Sequence, residues 1–301
     1  MHVAITGSSG LIGSALAHAL RTRGDRVRPL VRGPSDDPAA VRWDPAAGTI
    51  DAAGLDGVDV VVHLAGAGIG DKRLTAARRQ VVLESRTHGT ALIARTLAGM
   101  DSPPKVLVSA SAVGYYGSRG DDVLTEQSPP GDDFVAALVE AWEAAARPAV
   151  KAGIRTVFLR TAPVLSGTGG ILPRMALPFR LFVGGRIGSG RQWMSWVSLD
   201  DVLGIVRFVI DHDEIRGPVN VTAPEPVTNT EMTAALGRAL HRPTVFPVPP
   251  AALRLALGGG RTDSLLLASQ RVRPAVLVDA GYTFTHPRID DALAAAFGGS
   301  A

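Results

Sequence analysis

Thr6-Gly7-Ser8-Ser9-Gly10-Leu11-Ile12-Gly13 follows a short β-branched run at residues 2–6 and opens an amphipathic run at 11–23. Glycines at 7, 10 and 13 permit a tight turn, a close approach of the backbone to a pyrophosphate, and close packing of helix on strand. The unpaired amides at the start of the helix face phosphate charge. A glycine triad carries little meaning alone, but strand before and helix after is the context that gives it one. The stretch is read as a dinucleotide-binding turn, with all eight residues as cofactor contacts.

The pattern continues outward from this turn. Residues 26–31, 59–64, 105–109 and 154–159 are strand-like, and 75–97 and 133–151 carry apolar residues at helical spacing. Alternation of this kind predicts an α/β fold with a doubly wound parallel sheet. From Gly167 a Gly- and Pro-rich texture takes over until 196–210, as expected of loops and short helices over the carboxyl edge of the sheet, where open α/β folds bind ligands. The tail has turns at Pro247, Pro249 and Pro250, glycines at 258–260, and a last helix near 288–297. The expected division is a dinucleotide-binding domain at 1–165, its sheet completed by parts of 195–225, and a smaller α/β substrate-side region at 166–301.

Composition narrows the function classes. The chain has 301 residues, 46% apolar and 20% charged, enough for a sizeable core. A net charge of +3 with scattered arginines does not make the clustered positive face that nucleic acid requires. The apolar run at 59–67 is too short to cross a bilayer, MHVAITG lacks a charged leader, and there is no cysteine. A cytoplasmic protein without membrane or nucleic-acid partners, and without a metal, is expected.

Arg32, following Leu30-Val31, stands where a carboxylate would otherwise bind a ribose 2′-hydroxyl. A guanidinium there suits a 2′-phosphate, so the expected cofactor is NADP(H), although Asp36 and Asp37 keep NAD open. Leu64, Ala65 and Gly66 supply small residues where the backbone passes close to the cofactor; His63 reads as a packed strand residue.

Thr6 to Gly13, His63-Leu64-Ala65-Gly66, the serine strand 108–111 and Leu159-Arg160-Thr161 resemble the extended short-chain dehydrogenase/reductases. Asp71-Lys72-Arg73, Glu84-Ser85-Arg86, Gly114-Tyr115-Tyr116-Gly117, Gly188-Ser189-Gly190-Arg191-Gln192, Trp196 to Asp201 and Leu267-Ala268-Ser269-Gln270-Arg271-Val272 sharpen this. They are similar to an atypical bacterial YfcH-type epimerase family with a C-terminal domain of unknown function, DUF1731, here at about 245–297. The resemblance implies a Rossmann fold, NADP(H), and a sugar-nucleotide epimerase or reductase; it adds Ser109 and Arg160 to the cofactor contacts.

The chain departs from that superfamily in its acid/base residues. The usual Tyr-x-x-x-Lys pair is absent: four residues beyond Tyr115, Tyr116 and Tyr282 stand Arg119, Gly120 and His286, and the expected helix offers Phe134 and Leu138 instead. Arg86 replaces the asparagine of the superfamily's Asn-x-x-Gly-Thr; turned to the site it would polarise a carbonyl or bind an anion. Ser111 falls at the substrate-orienting hydroxyl, and Tyr115 or Tyr116 is either a replacement proton donor or an aromatic wall. Arg86, Ser111, Tyr115 and Tyr116 are therefore the candidate catalytic residues.

Arg174, Arg180, Arg186 and Arg191 lie in the Gly-rich segment, where they suit an anionic substrate, with Gln192, Trp193 and Trp196 shaping the pocket. Arg174, Arg191, Gln192 and Trp193 are taken as substrate contacts. Met194 occupies a family arginine position, which weakens the case for a diphosphate. Asp200 and Asp201 read as caps of the following helix. The helix at 134–148 is apolar nearly all round, so its second side meets either the C-terminal segment or a homodimer partner. Together these readings describe an NADP(H)-dependent oxidoreductase or epimerase acting by hydride transfer on a polar, anionic or sugar-nucleotide-like small molecule. The rival is a catalytically silent NADP(H)-binding sensor or scaffold.

Overall fold

A computed structural model describes residues 1–69, 74–244, 247–251 and 267–298. The 71–73 motif and the glycines at 258–260 lie outside the described residues. The first half runs β1 (His2–Thr6), α1 (Leu11–Thr22), β2 (Arg26–Val31), β3 (Val41–Asp44), β4 (Thr49–Ile50), β5 (Val60–His63), α2 (Ala76–Ala98) and β6 (Val106–Ala112). A 3₁₀ turn (Val113–Tyr116) leads to β7 (Val123–Leu124), α3 (Phe134–Ala144), α4 (Arg147–Lys151), β8 (Arg155–Thr161) and β9 (Val164–Leu165). The second half holds α5 (Leu172–Arg180), β10 (Trp193–Met194), β11 (Val197–Ser198), α6 (Leu199–Asp211), β12 (Gly217–Val221), β13 (Val227–Thr228) and α7 (Asn229–Leu240). After these come β14 (Arg271–Val272), α8 (Ala275–Asp279) and α9 (Ile289–Gly298).

Among the described residues eight strands form the main sheet in the order β12-β8-β6-β5-β1-β2-β3-β4, parallel except for the β3–β4 pair. The order reverses between β1 and β5, which opens a crevice beyond their carboxyl ends. Alternation within each strand explains the layers: Val3, Ile5, Val60, Val62, Val106 and Val108 face α1 and α6, whereas Ala4, Val61 and Leu107 face α2 and α4. Both faces are apolar because helices cover both.

The helix expected at 133–151 is two helices, since the chain turns at Ala145 and Ala146 and restarts with Pro148 in the first turn of α4. The apolar sides of α3 are met by α2 and the 113–116 turn, so its packing calls for no partner subunit. A separate apolar cluster joins α5, α7 and α9 around Trp196 and Leu236. Gly167 lets α9 lie against it, because a side chain there would collide with the Ala296 carbonyl.

The cap expected at Asp200 and Asp201 is Ser198, whose hydroxyl accepts the Asp201 amide at 3.0 Å. Asp201 is fully buried and accepts the amides of Thr285 at 2.7 Å and His286 at 3.0 Å, so it ties the C-terminal segment to α6. Asp200 is exposed and pairs with His286.

Candidate active site

Two neighbouring clefts occupy the carboxyl edge of the sheet. The first is built from backbone. Gly7 has φ of 69°, a left-handed value that glycine adopts freely, and a Cβ on it would lie 3.0 Å from the Leu64 carbonyl carbon. A Cβ on Gly13 would overlap the Gly7 carbonyl oxygen. Gly10 caps α1 without a side-chain bond and the first turn carries no acid, which leaves the helix amides free to meet an anion. The backbone of Leu64 and Ala65 stands against Gly7 from the end of β5, and Thr6 is buried beneath it. Arg32 is exposed one residue past β2, while Asp37 turns away to Arg21 at 3.5 Å. This cradle fits the diphosphate and adenosine end of a pyridine dinucleotide.

A chain of hydrogen bonds links this cradle to the second cleft. The Thr6 hydroxyl accepts the amides of Leu64 and Ala65 at 3.0 and 3.2 Å, so its own proton goes to His63 Nδ1 at 2.8 Å. The other ring nitrogen then donates to Thr90 at 3.0 Å, and Thr90 also accepts from Trp142 Nε1 at 3.0 Å. Burial pulls the His63 pKa down to about 4, which keeps the ring neutral and fixes this direction. Sequence reading took His63 for a packed strand residue; it is that and a connector.

The second cleft is a cavity of about 280 Å³ at the ends of β6 and β8. Its walls are the turn after β6, one face of α3 with Trp142, residues 161–163, Trp193 to Ser195, Ala268 and Gln270, with Ile69 and Arg86 at one side. The C-terminal segment holds these walls together. Gln270 Nε2 donates to the carbonyls of Val113 and Gly117, and Ser269 Oγ accepts the Trp193 amide and donates to the Gly120 carbonyl.

The predicted residues divide between the cavity and the wall behind it. Arg86 lines the cavity. Its Nη1 donates to the carbonyls of Ala67 at 2.7 Å and Val82 at 3.2 Å, and its guanidinium stacks 4.8 Å from the Trp142 ring. Ser111, 5% exposed and one residue before the lining residues Ala112 to Gly114 but not itself among them, donates to Glu143 Oε1 at 2.6 Å. Arg160, taken from sequence as a cofactor contact, grips both oxygens of Glu143 at 2.8 and 2.9 Å. Burial opposes its charge, but the Glu143 carboxylate and the Tyr116 contact together raise its pKa. Tyr115 lies beneath this guanidinium, 3.4 Å from ring centroid to Cζ.

Tyr116 is fully buried; its hydroxyl donates to Asn220 at 2.7 Å and accepts from Arg160 at 3.1 Å. Burial pushes its pKa up to about 12, so it stands inside the wall as a neutral brace and touches no ligand space. Ser109 is likewise buried within β6. Trp193 lines the cavity, but Arg174 and Arg191 are exposed, and neither they nor Gln192 are among the residues that line it. The four arginines of the Gly-rich segment are thus not gathered at the pocket.

Sequence reading missed Glu143 and Trp142 because α3 looked like packing. Glu143, one of two glutamates on an otherwise apolar helix, was the available signal. Gln270 and Ser195 gave none beyond the motif around Gln270.

The model of the NAD dependent epimerase/dehydratase family matches residues 3–222, and that of a domain of unknown function, DUF1731, matches 248–296. Epimerase family protein Mb2239 of Mycobacterium bovis is 44% identical over 291 residues, 97% of this chain and 96% of that protein. A solved structure of human epimerase family protein SDR39U1 (isoform 2) with NADPH has a TM-score of 0.90 at 35% identity, covering 99% of each chain. A nucleoside-diphosphate sugar epimerase from Corynebacterium glutamicum has a TM-score of 0.83 at 39% identity over 99% of this chain, which spans 58% of the length of that protein. Among the described residues no helix is long and apolar enough to cross a membrane.

Proposed function

The chain belongs to the NAD dependent epimerase/dehydratase family, and from that premise we propose that it binds NADP(H) and transfers hydride to or from a small polar substrate. The observation that carries this reading is the pairing of two clefts: a glycine-built cradle at the β1/β5 crossover, and a cavity beside it at the ends of β6 and β8. Arg32 favours the phosphorylated dinucleotide, since the nearby carboxylate Asp37 is turned to Arg21. Thr6 to Gly13 and Leu64 to Gly66 hold the diphosphate end. The bound cofactor supplies or accepts the hydride. The described part of residues 166–301 supplies the substrate-side walls, tied to the turn after β6 through Gln270 and Ser269.

The proton route differs from that of a phenol and an ammonium. Ser111 gives its own proton to Glu143, so towards a substrate carbinol its oxygen can only accept. The carbinol proton then passes to Ser111 as the serine proton passes to Glu143, and carbonyl reduction reverses both transfers. Arg160 keeps Glu143 oriented, Tyr115 forms the aromatic wall under that arginine, and Ser109, Arg160 and Tyr116 support the site from behind. Trp193 shapes the cavity.

One observation favours a second reading, a silent NADP(H)-binding sensor: no tyrosine, lysine or histidine is among the described residues lining the cavity. NADPH oxidation in the presence of a panel of small oxo-acids, and NADP+ reduction in the presence of the matching hydroxy-acids, separate the two. Turnover that falls about a hundredfold in Ser111→Ala, in keeping with loss of a general acid/base contribution, supports the enzyme. NADPH binding without turnover on any compound supports the sensor.

A further inference from the structure

Arg86 and Arg78 present an electrostatic imbalance that nothing else in the described structure resolves. Both are half-buried beside the loop after β5, and their acceptors are main-chain carbonyls: Ala67 and Val82 for Arg86, and Gly68 at 2.6 Å for Arg78. The Nε atom of each is buried without a partner. No carboxylate among the described residues pairs with either guanidinium. Burial, with the neighbouring Arg78 charge added to it, depresses the Arg86 pKa to about 10, so the two cations work against each other. Buried charges are ordinarily paired, because an isolated one loses its hydration. Arg160, by contrast, has both oxygens of Glu143.

Arg86 differs from Arg78 in lining the cavity, with Trp142 stacked on it and Ile69 beside it. The carboxylate on the cavity wall, Asp133, is already committed through Oδ1 to the Ala136 amide. At about 280 Å³ the cavity lies just under the range of drug-sized sites.

We propose that Arg86, backed by Arg78, is an oxyanion subsite, and that the substrate is a small carbonyl or carbinol compound carrying one carboxylate or phosphate group. With Nη1 given to the Ala67 and Val82 carbonyls and Nε buried, Nη2 is the donor Arg86 has left for such a group, with the guanidinium charge behind it. The proposal rests on the reading of this cavity as the substrate site and adds the class of compound that fills it. No bond is made or broken at the subsite; Arg86 supplies binding and orientation.

The test is calorimetric titration of the full chain with inorganic phosphate and, separately, acetate, alone and at saturating NADPH. At least one anion is expected to bind, to keep its affinity with NADPH present, and to lose at least tenfold in Arg86→Gln. Arg86→Lys, which keeps the charge and loses Nη2, is expected to fall between, and thermal melts show whether each variant is folded. Arg78→Gln is expected to lose about threefold. Absence of binding by either anion, binding indifferent to Arg86→Gln, or displacement by NADPH overturns the subsite. Failure of NADPH to bind while the anion still depends on Arg86 leaves the subsite standing and removes the hydride-transfer reading instead.

Discussion

Arg160 and Arg86 both meet α3, one at Glu143 and the other at Trp142, both are withdrawn from water, and they have opposite surroundings. Arg160 is held bidentate by Glu143, sandwiched with Tyr115, and hydrogen-bonded to Tyr116. Arg86 has carbonyls, a tryptophan face and a second cation. The same side chain thus serves two ends: where its charge is answered within the chain it joins the parts of the fold, and where it is left unanswered at a cavity it is set to recognise something from outside. The contrast is local in origin, since Glu143 is on the α3 face turned to β6 and β8, whereas the cavity face of that helix carries Val135, Leu138, Val139 and Trp142.

The largest effect expected from breaking this contrast is on the Arg160 side. Glu143→Ala or Arg160→Ala leaves one buried charge unpaired and should cost roughly 3–5 kcal/mol in urea unfolding. Arg86→Leu should change stability by under about 1 kcal/mol, because it removes a cation with no counter-charge. Equal losses at both arginines would erase the distinction.

His63 joins the two clefts and yields a pH effect next in size. Its folded pKa of about 4 lies below the ordinary 6.5, so between those values the unfolded chain binds more protons and stability rises with pH. The contribution is complete above pH 6.5 and is lost as pH falls towards 4, roughly 3 kcal/mol in all. The His63 ring resonances, followed by NMR, should titrate near 4; titration near 6.5 would mean that the ring is not sealed.

Gly13→Ala should cost roughly 1–3 kcal/mol by overpacking against Gly7, and should abolish dinucleotide binding. Gln270→Ala, which releases two carbonyls of the 113–117 segment, should cost about 1 kcal/mol per hydrogen bond lost and loosen the cavity more than the cradle. Hydrogen exchange of the 113–117 amides, compared with those of α1, would show that difference.

The cradle was legible in the sequence because it is made by consecutive residues: β1, α1 and β2 follow from periodicity, and Gly7, Gly10 and Gly13 from their spacing. The cavity was much less so, since its walls come from α2, β6, α3, β8, β10 and the tail, and no local pattern says that Gln270 will reach Gly117. β3 was missed because Val41–Asp44 is short and follows a polar Asp-Asp-Pro stretch. α7 was missed despite a readable signal, the capping box of Thr228 with Glu231. Asp201 sat where a capping carboxylate would, and only the tertiary return of residues 285 and 286 gives it its partners.

Selection of a phosphorylated dinucleotide by the glycine cradle with Arg32 is read by calorimetric titration of the chain and of Arg32→Ala with NADPH and NADH. The unaltered chain is expected to bind NADPH at least about tenfold more tightly than NADH, in line with one charge-assisted contact, and Arg32→Ala to lose this preference while still binding both. Binding of neither nucleotide, or a preference untouched by removal of Arg32, would contradict it.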